Sequence, residues 1–134
     1  MQTFLPYPSF IKSAQALDGK RLNKQRIECL QIYNTLTGVS QGWKNHPAVR
    51  MWRGYEEKLI RYWYSIEAEC RRRNYKSRDI PQFKSFYAAT PSWLGNEEFH
   101  LSHRLNLLFK DPVYYQMRFT EDVPKTKPDY VWPV

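Results

Sequence analysis

Between Asp18 and Gly38, apolar and polar positions recur with the period of an α-helix. Leu22, Cys29, Tyr33 and Leu36 share one side at about 100° per residue. Arg21, Gln25, Glu28 and Ile32 form the neighbouring row, and Lys24 stands one turn before Glu28. Asp18 is placed to cap the free N–H groups at the start, and Gly38 suits the position just past the end. The same pattern predicts three further helices. Ser9 caps a short one over Phe10–Leu17, with Phe10, Ala14 and Leu17 on one side. A long one starts at Pro47, capped by His46 or Asn45, and runs to about Arg73. Val49, Trp52, Leu59, Trp63, Ile66 and Cys70 keep its period, and Gly54 inside it implies close packing against another backbone. Asn96 caps the last, Glu97–Lys110, which Asp111-Pro112 stops. There Leu101, Leu105 and Leu108 are expected to face the core, with His100, His103, Arg104 and Leu107 on an adjoining side.

The connections are irregular. Pro6 and Pro8 keep Met1 to Pro8 extended. Val39 to His46 is a loop containing Gly42 and Trp43. In the stretch from Asn74 to Gly95, Lys76, Arg78 and Lys84 are interleaved with Phe83, Phe86 and Tyr87. Tyr114 and Tyr115 open an aromatic tail that passes through Tyr130 and Trp132. No strand alternation or internal repeat is visible. The predicted fold is all-α: a compact single domain over residues 1–134, with three main helices, irregular loops and an aromatic C-terminal tail.

Composition points to the partner. The 134 residues carry a net charge of +8 and 16% aromatics, which suits phosphates and stacked bases. Nucleic acid is the first expectation and a membrane surface the second. Cys29 and Cys70 both fall on apolar stripes and read as buried free thiols. The N-terminus lacks the charged start and apolar run of a signal peptide, and no stretch approaches a membrane span, so a cytoplasmic monomer is expected. No cofactor or metal is expected. There is no Gly-rich phosphate loop and no C-x-x-C or H-E-x-x-H motif. His100-x-x-His103 lacks an evident third ligand, and Ser102 has no supporting hydrolase motif.

Glu28 is a lone carboxylate among Arg21, Lys24 and Arg26. Two readings stand side by side: a solvated face with an i,i+4 Lys24–Glu28 pair, or a functional acid in a phosphate-facing wall. His46 is a helix cap, a buried hydrogen-bonding histidine or a site residue. Arg104, beside His103, is either solvated or bound to a DNA backbone phosphate. Arg26 projects from the apolar stripe, where a guanidinium calls for a carboxylate or phosphate partner.

Three segments, in order, resemble one family. Leu22 and Glu28 keep a six-residue leucine–glutamate spacing, with Arg21 where that family has a histidine. His46 to Tyr75 is similar to the family's long helix, down to the ending carried by Ile66, Glu69, Cys70, Arg73 and Tyr75. SHRLNLLFKDPVYY is similar to its last helix, with Arg104, Leu105, Pro112 and Tyr115 in line. The family is that of the phage-type pyrimidine-dimer DNA glycosylases with AP-lyase activity, the endonuclease V of T-even phage repair. The opening MQTFLPYP and the NHPAVRMW motif look closest to a subgroup of short bacterial and phage proteins.

The resemblance implies an all-α enzyme that turns a nucleotide out of double-stranded DNA. An N-terminal amine attacks the sugar C1′, the base leaves, an imine forms, and β-elimination nicks the strand. By position, Glu28 is the catalytic carboxylate and Met1 supplies the amine. Arg21, Lys24 and Arg26 bind phosphate or place Glu28, and Arg104 contacts the backbone. Gln25, Asn45, His46, His100 and His103 line the site. The family's nucleophile is a threonine exposed by methionine removal, whereas Gln2 is large enough to keep Met1 in place. Lys20 and Lys24 are fallback amines. The missing histidine leaves the substrate base open, so a damaged or modified base is the expectation, not the cyclobutane dimer in particular. Two other readings fit the same residues: a non-catalytic nucleic-acid-binding module of this fold, and an enzyme acting on free modified nucleotides.

Overall fold

A computed structural model describes residues 1–76 and 88–134; Arg78, Phe83, Lys84, Phe86 and Tyr87 lie outside the described residues. The helices are α1 (Phe10–Ala16), α2 (Gly19–Leu36), α3 (Pro47–Arg50), α4 (Glu56–Arg72), α5 (Glu97–Lys110) and α6 (Pro112–Tyr115). The architecture is all-α, and no strand occurs among the described residues. Caps set the starts. Ser9 Oγ accepts from Lys12 N at 3.1 Å, the Asp18 carboxylate from Arg21 N at 3.4 Å and Asn96 Oδ1 from Phe99 N at 3.2 Å.

The long helix predicted from Pro47 to Arg73 is two helices. Residues 51–55 form a turn, and Gly54 adopts φ +85°. A Cβ on Gly54 would meet nothing within 4 Å, so this glycine serves backbone conformation and not the close packing expected of it. Glu56 Oε1 accepts from Gly54 N at 3.0 Å and closes the turn onto the start of α4. The apolar period continues through Met51 and Trp52 because both are buried.

α4 packs against α1 and α2. Leu59, Trp63, Ile66 and Cys70 meet Ala14, Leu17, Leu22, Cys29 and Ile32 in one core. Both thiols are free and buried, and burial pushes the Cys29 thiol far above its ordinary range.

The N-terminal arm, residues 1–8, threads this core outside any helix, with no strand among the described residues to pair with. Buried backbone must still be satisfied, and here side chains do it. Gln25 Oε1 accepts from Phe4 N at 2.7 Å, and Gln25 Nε2 donates to Gln2 O at 2.8 Å. The Tyr62 hydroxyl donates to Phe4 O. His103 Nδ1 accepts from Leu5 N and His100 Nδ1 donates to Leu5 O, both at 2.8 Å. Arg104 donates to Pro6 O at 2.9 Å, and Ser13 Oγ bonds both Tyr7 N and Tyr7 O. Trp52 Nε1 donates to Thr3 Oγ1 at 3.0 Å. Helices α1, α2, α4 and α5 therefore all grip the arm.

This corrects the expected face of α5. Leu108 is buried, but Leu101 and Leu105 are only half-buried. His100, His103, Arg104 and Leu107 are the buried side, because the arm needs polar partners there.

The two histidines make stability sensitive to acid. His103 is pushed down to about 3 by burial, with His100 adding to the effect. His100 is lowered chiefly by burial; its Nε2 accepts from Gly95 N at 2.9 Å. An unfolded histidine takes up its proton near pH 6.5, and the folded His103 does not until about pH 3. Stability is thus complete above about pH 6.5 and falls as pH drops through that window. From pH 6.5 to 5, His103 alone accounts for a loss on the order of 2 kcal/mol. Urea unfolding at pH 7, 6 and 5 should show it. A flat midpoint would mean the histidines are not held neutral by the arm.

Candidate active site

The arm delivers its first residues to a cavity of about 310 Å³. Met1, Gln2 and Phe4 line it with Lys20, Arg21, Lys24 and Glu28 of α2, Lys110 at the end of α5, and Tyr130 of the tail. α2 supplies four of these: Arg21 and Glu28 from its second helical row, which turns inward as well as its apolar stripe, and the exposed Lys20 and Lys24 beside them. Gln25 and Glu28 are both buried.

Glu28 is the only carboxylate among the described lining residues. Its Oε2 accepts from Gln2 N at 3.4 Å, the first amide after the Met1 amine. Its Oε1 lies 3.7 Å from Lys24 Nζ, so the i,i+4 pair forms while Lys24 stays largely in solvent. Arg21 is half-buried and held from behind by Asp18 Oδ1 at 3.1 Å. Asp18 also accepts from the Tyr115 hydroxyl. Burial acts to raise the Asp18 carboxyl, but the bonds from Tyr115 and Arg21 outweigh it and hold the group below its usual range. Lys110 is lowered by burial first, then by Arg21, Lys127 and Lys24. Four cations thus face one acid. Tyr130 is pushed up to about 12, mainly by burial, so its phenol keeps its proton at neutral pH.

His46 caps α3, its Nδ1 accepting from Ala48 N at 3.0 Å, while Asn45 beside it is exposed. Burial lowers His46, the N-terminal ammonium lowers it further, and Glu28 acts to raise it. It therefore lies within electrostatic reach of both the amine and the acid. Gln25 stands behind the wall, where it clamps Gln2 and Phe4.

Gln25, Asn45 and His46 do not line the cavity, and four more of the residues singled out from the sequence are placed elsewhere. Arg26 is buried against α4, paired with Glu67 at 3.0 Å and bonded to Asn23 Oδ1 and to Lys76 O. Its partner is thus a carboxylate, the first of the two options its position allowed. Arg104 is held by Glu97, by Glu121 at 3.1 Å and by Pro6 O. His100 and His103 bind the arm. None of these four lines the cavity. Conversely, Lys110, Tyr130, Gln2 and Phe4 line the wall without a signal in the sequence that singles them out for it. Lys110 did sit inside the third resembling segment, but nothing in the sequence marked Tyr130 beyond an aromatic tail.

No group of three or more His, Cys, Asp and Glu is gathered as a metal site among the described residues. No described helix is long and apolar enough to cross a membrane. Comparison with curated proteins and with solved structures finds no match. A family model described as pyrimidine dimer DNA glycosylase matches residues 1–80, more than half of the 134. The match takes in the acid, the N-terminus and three of the four cations of the cavity, and the chain belongs to the pyrimidine dimer DNA glycosylase family.

Proposed function

We propose that the protein is a DNA glycosylase with AP-lyase activity, acting on a damaged or modified base turned out of duplex DNA. The observation that carries this reading is the sharing of one cavity by Met1 and Glu28. The Met1 α-amine attacks C1′ of the turned-out nucleotide. The N-glycosidic bond breaks, its electron pair leaves with the base, and a proton supplied through Glu28 neutralises the departing group. The attached nitrogen gives up one proton; its lone pair then forms the protonated imine as the C1′–O4′ bond breaks and O4′ takes up a proton. The Glu28 carboxylate accepts a C2′ proton, the C2′–H pair becomes the C2′–C3′ double bond, and the C3′–O bond breaks as the 3′ phosphate leaves, nicking the strand. Arg21, Lys20, Lys24 and Lys110 hold the flanking phosphates, and the neutral Tyr130 phenol offers a ring and a donor to the base.

Borohydride trapping on duplex DNA with an abasic site, followed by peptide mass spectrometry, tests the chemistry without knowledge of the base. The expected adduct is on the Met1 amine. An adduct on Lys20, Lys24 or Lys110 would keep the imine but move the nucleophile. Tight binding with no adduct would overturn the lyase step and favour a non-catalytic DNA-binding module.

A further inference from the structure

Trp43 is 67% exposed, the largest ring left open to water in the loop before α3. Its backbone lies in the left-handed region at φ +64°, where bulky side chains are outliers. The loop nevertheless holds it in place. Thr35 Oγ1 donates to Gly42 O at 3.0 Å, His46 N to Trp43 O at 2.9 Å and Arg53 to Lys44 O at 3.3 Å. Three successive carbonyls are thus tied down around a residue whose ring packs little. Strain kept without a packing reason belongs to functional sites.

The ring also has a direction. Trp43 meets His46 edge-on with centroids 5.9 Å apart, His46 meets Trp132 at 5.8 Å, and Trp132 meets Tyr130 at 5.5 Å. Tyr130 lines the Glu28 cavity. An unbroken row of rings therefore runs from the cavity to the exposed indole. Lys44 and Arg53, both exposed, flank it.

We propose that Trp43 is a wedge that enters the DNA duplex beside the cavity and stacks in the gap left by the nucleotide turned out toward Glu28. The proposal rests on the reading given under Proposed function. A turned-out nucleotide leaves its neighbours unstacked, and an aromatic face replaces the lost stacking with little regard to sequence. The indole supplies that face, and the flanking cations suit the adjacent phosphates.

The test uses full-length protein with a duplex carrying a tetrahydrofuran abasic analogue next to 2-aminopurine, and the same strand unpaired. Wild type, Trp43→Ala and Trp43→Phe are compared. Trp43→Ala should bind the duplex about tenfold or more weakly, the scale of one aromatic–base stack. It should also lose the 2-aminopurine fluorescence change, whereas Trp43→Phe keeps most of both. Binding to the unpaired strand should stay within about twofold, since no stack is open there to fill. Thermal melting should not move, because the ring is exposed. Wild-type duplex affinity and fluorescence in Trp43→Ala would overturn the wedge while leaving the glycosylase reading intact. Equal losses on duplex and single strand would overturn it too, making Trp43 a general contact. A wild-type protein that ignores the duplex would overturn the DNA reading itself, and the wedge with it.

Discussion

Glu28→Gln should lower base excision and strand nicking by about 10²–10⁴-fold, the range of a general acid or base, while duplex binding holds or tightens. The substitution keeps the shape of the side chain and an oxygen to accept from Gln2 N. It gives up the pair with Lys24, which is exposed and contributes little to stability. The fold should therefore persist, and removing a negative charge from a wall of four cations cannot weaken phosphate contacts. What is lost is the ability to move a proton beside the sugar. Single-turnover excision, paired with a binding titration on the same duplex, separates the two effects. Turnover within about threefold of wild type would remove Glu28 from the reaction; lost binding together with lost turnover would make it structural instead.

Adding one residue ahead of Met1 should reduce imine trapping at least about 100-fold, as expected of losing a positioned nucleophile. Gln2 is 5% exposed and clamped by Gln25, so the arm cannot slide to make room. An added residue turns the Met1 amine into an amide, which is no nucleophile, and carries the new amine about 3.5 Å further along the chain. The same residue added after Val134, which is half exposed, should leave trapping unchanged. Duplex binding by both versions serves as the control for folding. Full trapping in the N-terminally extended protein would exclude the Met1 amine and turn attention to Lys20, Lys24 and Lys110, which share the cavity.

Helix starts were legible because Ser9, Asp18 and Asn96 each signal a cap locally, and each does cap its helix. Glu28 stood out because an acid among cations is visible at helical spacing. The break at residues 51–55 was hidden by apolar residues that are buried whether or not the helix continues. The face of α5 is masked in the sequence for a related reason. His100 and His103 read as site-lining residues and Arg104 as a backbone contact until a buried arm appears that needs their donors and acceptors. Periodicity reports which residues avoid water, not which buried backbone requires a polar neighbour. Arg26 followed the same logic: its charge suggested phosphate, and Glu67, 41 positions away, answers it. Lys110 and Tyr130 reach the cavity only through tertiary folding, which no spacing along the chain records.

The grip on the arm also sets an order of events during synthesis. Leu5 bonds His100 and His103, which lie 95 and 98 positions further along the chain. When the arm leaves the ribosome, the helix that seats it has yet to be translated. Contacts this distant form late, after the loop between them has closed. A chain halted before α5 has made α2, with Gln25 and Glu28 in register, but has no seat for Leu5 and no Tyr130 to wall the cavity. The cationic wall thus comes together only once translation has passed the tail, and incomplete chains carry Lys20, Arg21, Lys24 and Glu28 without the Lys110 and Tyr130 that close it.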